Sequence, residues 1–268
     1  MTHTVRSADG TEIAFETTGD GPPLVLVDGA LCFRGSGPAT PLAEALAPHF
    51  TVHTYDRRGR GESGNAPGYA PQREVEDLAA LVKQAGGSAA VYGISSGAAL
   101  ALEAARTGLA ITRLALYEAP FIVDATREPA PADFLAQFER LIAEDRRADA
   151  LKLFLGPGVG VPAPVIAMMR LTPAWKGLKA VAHTLPYDMA LLDGYQLGNP
   201  LPSGRWDSVA VPTLVAAGSK SPAWMQNAMR QLAERLPNAE HETLPGQDHM
   251  IKAPALAPVL ARFFGASG

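Results

Sequence analysis

The sequence predicts an α/β fold: a mostly parallel eight-stranded sheet with helices on both faces. Three observations carry this. Short apolar runs recur along the chain, longer helical patterns separate them, and most of the runs are continuously apolar rather than alternating. An opening hairpin is expected over residues 2–7 and 12–16, around the turn signal Asp9-Gly10. Buried strands then follow at 24–27, 51–55, 89–92, 114–117, 213–217 and 240–244. Helices are expected at 41–47, 73–85, 96–107, 223–236 and 255–264. In the second of these, Val75, Leu78, Ala79 and Val82 share helical spacing, which leaves Glu74, Glu76, Asp77 and Lys83 for the surface. One stretch breaks the alternation. Residues 121–208 hold no convincing strand and read as helical with many prolines, with helices at 132–142, 148–155, 165–171 and 175–185. The expectation is a core built from 1–120 and 209–268, with 121–208 inserted as a helical cap, so one domain with a lid.

Composition narrows the class. The 268 residues are enough to bury a sizeable core, and 23 basic against 27 acidic residues argue against a nucleic-acid partner. One cysteine, Cys32, excludes an internal disulfide framework and a cysteine-rich zinc site. No apolar run approaches the roughly 20 residues of a membrane span, and residues 1–10 are too polar for a signal peptide. A soluble, cytoplasmic protein with no membrane partner is expected. Oligomeric state is left open, a homodimer included.

Gly93-Ile94-Ser95-Ser96-Gly97 fits G-x-S-x-G and lies between the apolar run 89–92 and an alanine-rich helix. That strand–turn–helix context suits a nucleophile elbow, in which a serine at a strained turn needs small neighbours. The alternative is an ordinary turn with an N-cap serine. With this motif in place, the chain resembles the α/β-hydrolase family over nearly its whole length. Asp56-Arg57-Arg58-Gly59-Arg60-Gly61-Glu62-Ser63 resembles that family's D-x-R-G-x-G-x-S loop, and Val211-Pro212-Thr213-Leu214-Val215 its strand after the cap. Leu244-Pro245-Gly246-Gln247-Asp248-His249 resembles its terminal histidine loop. The three arginines suggest phosphate less than a structural turn, with the guanidinium groups solvated or internally paired.

A serine hydroxyl needs a base beside it, and the resemblance implies His249. His3, His49, His53 and His241 are expected at the surface, and His183 in the cap. Where many family members carry the acid, this chain has Gly218-Ser219-Lys220-Ser221-Pro222, with serine in place of aspartate. A hydroxyl would barely stabilise an imidazolium. Glu118, just after the strand 114–117, is the replacement expected, because strand ends at one sheet edge open into one crevice. The order Ser95, Glu118, His249 is similar to zearalenone-type lactonases, as are Asp28-Gly29 and Ser95-Ser96-Gly97. Asp248 is expected to point away from the adjacent ring, and Asp193 is a remote alternative. The oxyanion hole is expected from the N–H groups of Ser96 and Gly29, with Ala30 as the fallback. Cys32 has no histidine placed to activate it.

Met and aromatic residues in the cap are more often core than substrate contacts, yet a lid over a serine site presents some apolar surface. Trp175, Tyr187 and Asp28 are the expected substrate contacts. The resemblance implies a serine hydrolase, without cofactor or metal, acting on a small-molecule ester or lactone that is bulky and mostly apolar. Perhydrolase, haloperoxidase or carbon–carbon hydrolase chemistry is an alternative on the same scaffold. So is a ligand-binding protein that has lost catalysis, for which Ser221 is the supporting feature.

Overall fold

The computed structural model describes residues 1–265. Its sheet has eight strands: β1 His3–Arg6, β2 Glu12–Thr18, β3 Pro23–Val27, β4 Thr51–Tyr55, β5 Ala89–Ile94, β6 Ile111–Tyr117, β7 Thr213–Gly218 and β8 Ala239–Leu244. They lie in the order β1-β2-β4-β3-β5-β6-β7-β8; β2 pairs antiparallel with β1 and β4, and every other pair is parallel. Five helices flank the sheet: α1 Ala39–Leu46, α2 Pro71–Gln84, α3 Ser96–Arg106, α9 Ala223–Arg235 and α10 Ala253–Gly265.

Strand alternation divides the core in two. Leu24 and Leu26 face one side, where they join Leu42, Leu46, Leu256 and Leu260 of α1 and α10. Val25 and Val27 face the other, joining Leu78 and Val82 of α2, Leu100 of α3 and Leu232 of α9. Each such side chain contributes about 1.5–3 kcal/mol by leaving water. Both faces of the central strands are therefore dry, which is why their sequences carry no polar alternation.

The order around β3 sets the position of the site. The chain steps from β3 to β4 on one side, then returns through α2 to β5 on the other. A parallel sheet opens a crevice at the carboxyl ends of strands where the winding reverses. Here the loops after β3 and β5 meet, carrying Asp28-Gly29 and Ser95.

Between β6 and β7 the chain forms helices: α4 Phe134–Ala143, α5 Arg147–Leu153, α6 Ala163–Met169, α7 Pro173–Val181 and α8 Leu185–Leu192. Two details differ from expectation. The single helix expected at 175–185 ends as α7 at Val181; a 3₁₀ turn over Ala182–Thr184 then leads into α8. Pro186 in the first turn of α8 explains the break, since it lacks the N–H that a continuing helix would use there. The helix expected to reach residue 155 stops at Leu153 and widens into a π turn over Phe154–Val159, which includes Pro157. No described helix is long and apolar enough to cross a membrane.

Candidate active site

Ser95 follows β5 directly and adopts φ 58°, ψ −130°, a backbone state costing about 1–3 kcal/mol that its surroundings hold in place. Its N–H donates to the Tyr117 carbonyl at 2.9 Å, and its carbonyl accepts from Ala98 N–H at 2.9 Å as α3 begins. Gly97 must be glycine, because a Cβ there would collide with the carbonyl oxygens of Val27 and Asp28. Gly29 is also confined, less tightly: a Cβ would sit 2.9 Å from Ser95 Cβ. The loop after β3 therefore lies directly against the serine.

Glu118 follows β6 directly and also adopts a positive φ, 49°. Its carboxylate is fully buried and fully partnered. Oε2 accepts from His249 Nδ1 at 2.8 Å; Oε1 accepts from Gly218 N–H at 2.7 Å and from Ser221 Oγ at 2.5 Å. With Nδ1 donating to the carboxylate, Nε2 of His249 is the free acceptor. The imidazole keeps 35% of its side-chain surface exposed while its partner has none. The loop carrying it is tied from beneath, since Tyr117 Oη donates to the Asp248 carbonyl at 2.7 Å. Asp248 itself accepts from Met250 N–H, so its carboxylate caps a local turn. Ser221, the residue standing where an aspartate was missed, is thus a hydrogen-bond donor to the carboxylate that takes its place.

On the opposite side of Ser95 lies a buried network of charges. Arg57 makes a two-pronged pair with Glu74, at 2.6 Å from Nε and 2.7 Å from Nη2. Its Nη1 donates to Asp188 Oδ1 at 2.7 Å and reaches the Asp28 carbonyl at 3.3 Å. Arg60 Nη2 donates to Asp188 Oδ2 at 2.6 Å, while its Nη1 donates to the Gly29 carbonyl at 2.7 Å. Arg58 turns away to Asp77 and Asp9. All three guanidinium groups are 1% exposed and internally paired, not solvated. That reverses the placement expected for α2: Glu74 and Asp77 are buried counter-ions of this loop, not surface residues. Burial pushes the Asp188 carboxyl up, but Arg60 and Arg57 outweigh it and hold it below the usual carboxylate range.

The model of the alpha/beta hydrolase family matches residues 22–261. The chain belongs to that family. An alpha/beta hydrolase from Sphaerobacter thermophilus is 52% identical, with a TM-score of 0.89 over 98% of this chain and 100% of its own. The pimeloyl-acyl-carrier-protein methyl ester esterase of Xanthomonas campestris pv. campestris is 29% identical over 260 residues, 94% of this chain and 98% of the esterase. The enol-lactonase from Burkholderia xenovorans shares the fold at 23% identity and a TM-score of 0.69, over 98% of this chain and 100% of that one.

In this alpha/beta hydrolase, Ser95, Ser96, Gly29, Glu118 and His249 lie around the crevice, and Asp28, Tyr187 and Trp175 are each held by contacts within the protein. Asp28 is buried in the loop after β3, accepts a hydrogen bond from Ala39 N–H, and leans on Gly37. Burial pushes its carboxyl up to about 7, against the pull of Arg60 and Arg57. Tyr187 in α8 stacks on Tyr69 at 3.9 Å and lies within hydrogen-bond distance of Asn65, so it joins the insertion to the loop before α2. Trp175 in α7 is 9% exposed and belongs to the apolar cluster beneath the insertion. Burial raises the Cys32 thiol to about 12, which suits a packing role. His53 is buried between Phe15 and Thr17, not at the surface. His183 bonds the Ala180 carbonyl. Among the described residues, no group of three His, Cys, Asp or Glu is arranged to hold a metal ion.

Sequence reasoning missed Asp188, Glu74, Tyr117 and Ser221 as parts of the site. A signal existed for the first. In Leu-Pro-Tyr-Asp-Met-Ala-Leu-Leu, residues 185–192, Asp188 is the single charge in an apolar helix, and three nearby arginines needed partners.

Proposed function

We propose that this chain is a serine hydrolase of carboxylic esters, a lactone among them, working through an acyl-enzyme. The observation that carries it is the 2.8 Å bond from His249 Nδ1 to a buried Glu118, which follows the strand next to the one that ends at the positive-φ Ser95. Ser95 Oγ attacks the carbonyl carbon as His249 Nε2 takes the hydroxyl proton. Glu118 fixes the tautomer and stabilises the imidazolium that forms. The tetrahedral intermediate collapses, and His249 returns the proton to the departing alkoxide. Water then attacks the acyl-enzyme with His249 again as base, releasing the acid and restoring Ser95. With a lactone the alcohol stays tethered, so the product is a hydroxy acid.

The oxyanion hole is drawn from Ser96 N–H and from Gly29, with Ala30 as its neighbour in reserve. Peptide geometry supports this loop as the source of the second donor. The Asp28 and Gly29 carbonyls face Arg57 and Arg60, so the N–H groups across those trans peptides, of Gly29 and Ala30, face the other way. The helical insertion serves as a cap, with Trp175 and Tyr187 on it and Asp28 in the loop after β3 as the substrate contacts of this reading. Likeness to the Xanthomonas methyl ester esterase supports ester chemistry. The combination of Asp28-Gly29, Ser95-Ser96-Gly97 and Glu118 supports a lactonase of the zearalenone type.

A fluorophosphonate probe tests this directly. Peptide mapping should place one adduct on Ser95, absent in Ser95→Ala, and a panel of esters and lactones should show which is turned over. A folded wild-type protein that neither labels nor hydrolyses any of them would overturn it.

A further inference from the structure

We propose that Asp188 is a positioning residue that sets the oxyanion hole from the helical insertion, through Arg57, Arg60 and Ser96. This rests on the hydrolase reading above. The carboxylate is wholly buried and touches three groups of the hole's framework at once. Oδ1 accepts from Ser96 Oγ at 2.7 Å and from Arg57 Nη1 at 2.7 Å; Oδ2 accepts from Arg60 Nη2 at 2.6 Å. Those contacts continue into the backbone. Ser96 supplies the N–H beside the nucleophile, Arg57 reaches the Asp28 carbonyl, and Arg60 donates to the Gly29 carbonyl.

Charge bookkeeping explains why a carboxylate is needed. Arg57 and Arg60 are balanced by Glu74 and Asp188, and all four are 1% exposed or less. Glu74 pairs with Arg57, so Arg60 relies on Asp188 as its ionic partner and on the Thr184 hydroxyl, 3.0 Å from its Nε. Remove the charge and Arg60 is a buried cation whose remaining acceptors are that hydroxyl and the carbonyls of Gly29 and Cys32. Its geometry then changes at the peptide that aims the second oxyanion donor. Asp188 sits on α8 and Thr184 on the turn before it, so the seating of the insertion and the shape of the hole are one mechanical unit.

Asp188→Asn separates this from a role confined to shaping the pocket. A small ester such as p-nitrophenyl acetate needs little from the insertion, whereas a bulky ester needs much. Positioning predicts that kcat falls about 100-fold on both, with KM within about threefold, because one oxyanion donor is worth about 10²–10³. Inhibition by an aryl boronic acid, whose tetrahedral adduct occupies the hole, should weaken by the same factor as kcat/KM. Asp188→Glu should recover part of the loss. A variant whose KM rises on the bulky ester alone, with kcat on the acetate unchanged, would overturn the proposal. Should Asp188→Asn fail to fold, Thr184→Val decides. A loss of about fivefold in kcat at constant KM upholds it, and an unchanged kcat defeats it. Failure of the hydrolase reading looks different, since wild type itself would then neither label at Ser95 nor turn over.

Discussion

The two sides of Ser95 are built on opposite electrostatic plans. On one side Glu118 is buried but His249 keeps about a third of its surface open, joined through a single carboxylate–imidazole bond. On the other, two arginines and two carboxylates are sealed from water, with nearly every donor spent on a fixed acceptor. In the proposed reaction the open side exchanges a proton with the substrate. The sealed side cannot, because desolvated and mutually neutralised charges resist both titration and movement. Reactivity and rigidity are divided between flanks of one serine, and backbone atoms of Asp28, Gly29 and Ser96 join them.

Breaking either flank should have a distinct signature. Ser95→Ala should lower kcat by at least about 10⁴-fold while leaving the melting temperature within a few degrees, since the hydroxyl makes chemistry and not packing. Asp188→Ala should do the reverse in emphasis. Urea denaturation should show a loss of about 3–5 kcal/mol, because it leaves Arg60 buried without its counter-ion. A loss below about 1 kcal/mol would mean that the sealed flank is less dry than it is drawn.

Asp28 sharpens the comparison through pH. Its folded-state pKa of about 7 lies above the roughly 3.9 of an unfolded aspartate, so between these values the native state binds more protons than the unfolded one. Its contribution to stability therefore falls as pH rises through that window, reaching a cost of about 4 kcal/mol above pH 7. Asp28→Asn removes the titration. Denaturation at pH 5 and pH 8 should show the variant gaining on wild type at the higher pH; parallel curves would count against a neutral Asp28. The smallest effect is expected at Ser221→Ala, which removes one donor from Glu118. A hydrogen bond to a charged group contributes about 1.5–3 kcal/mol, and two donors remain, so kcat/KM should fall about tenfold.

Much of the arrangement of Ser95, Glu118 and His249 was readable in the sequence, because its signals are local. Ser95 lies between Gly93 and Gly97 after an apolar strand, and Glu118 directly follows another strand of the same sheet. The sealed flank depends on pairing across distance: Arg57 and Asp188 are 131 residues apart. Helical spacing said correctly that Val75, Leu78 and Val82 face inward, but it gave Glu74 and Asp77 to the solvent. A polar residue's burial is decided by whether a partner exists, and no periodicity encodes that. The break between α7 and α8 was written in Pro186, yet the helical pattern over residues 175–185 masked it. The strands were plain for the opposite reason: a fully buried parallel strand needs no partner beyond apolar neighbours, and composition alone reports those.

The central claim is that Glu118 is the acid of this site, relocated from the strand end at Ser221. The steady-state rate of Glu118→Gln tests it most directly, on whichever ester the wild type turns over. The substitution keeps the side-chain volume and removes the charge that supports the imidazolium. A drop in kcat of about 10³–10⁴-fold is expected, with Ser95 still in place and the fold intact by circular dichroism. Activity within about threefold of wild type would contradict the account and move the acid elsewhere.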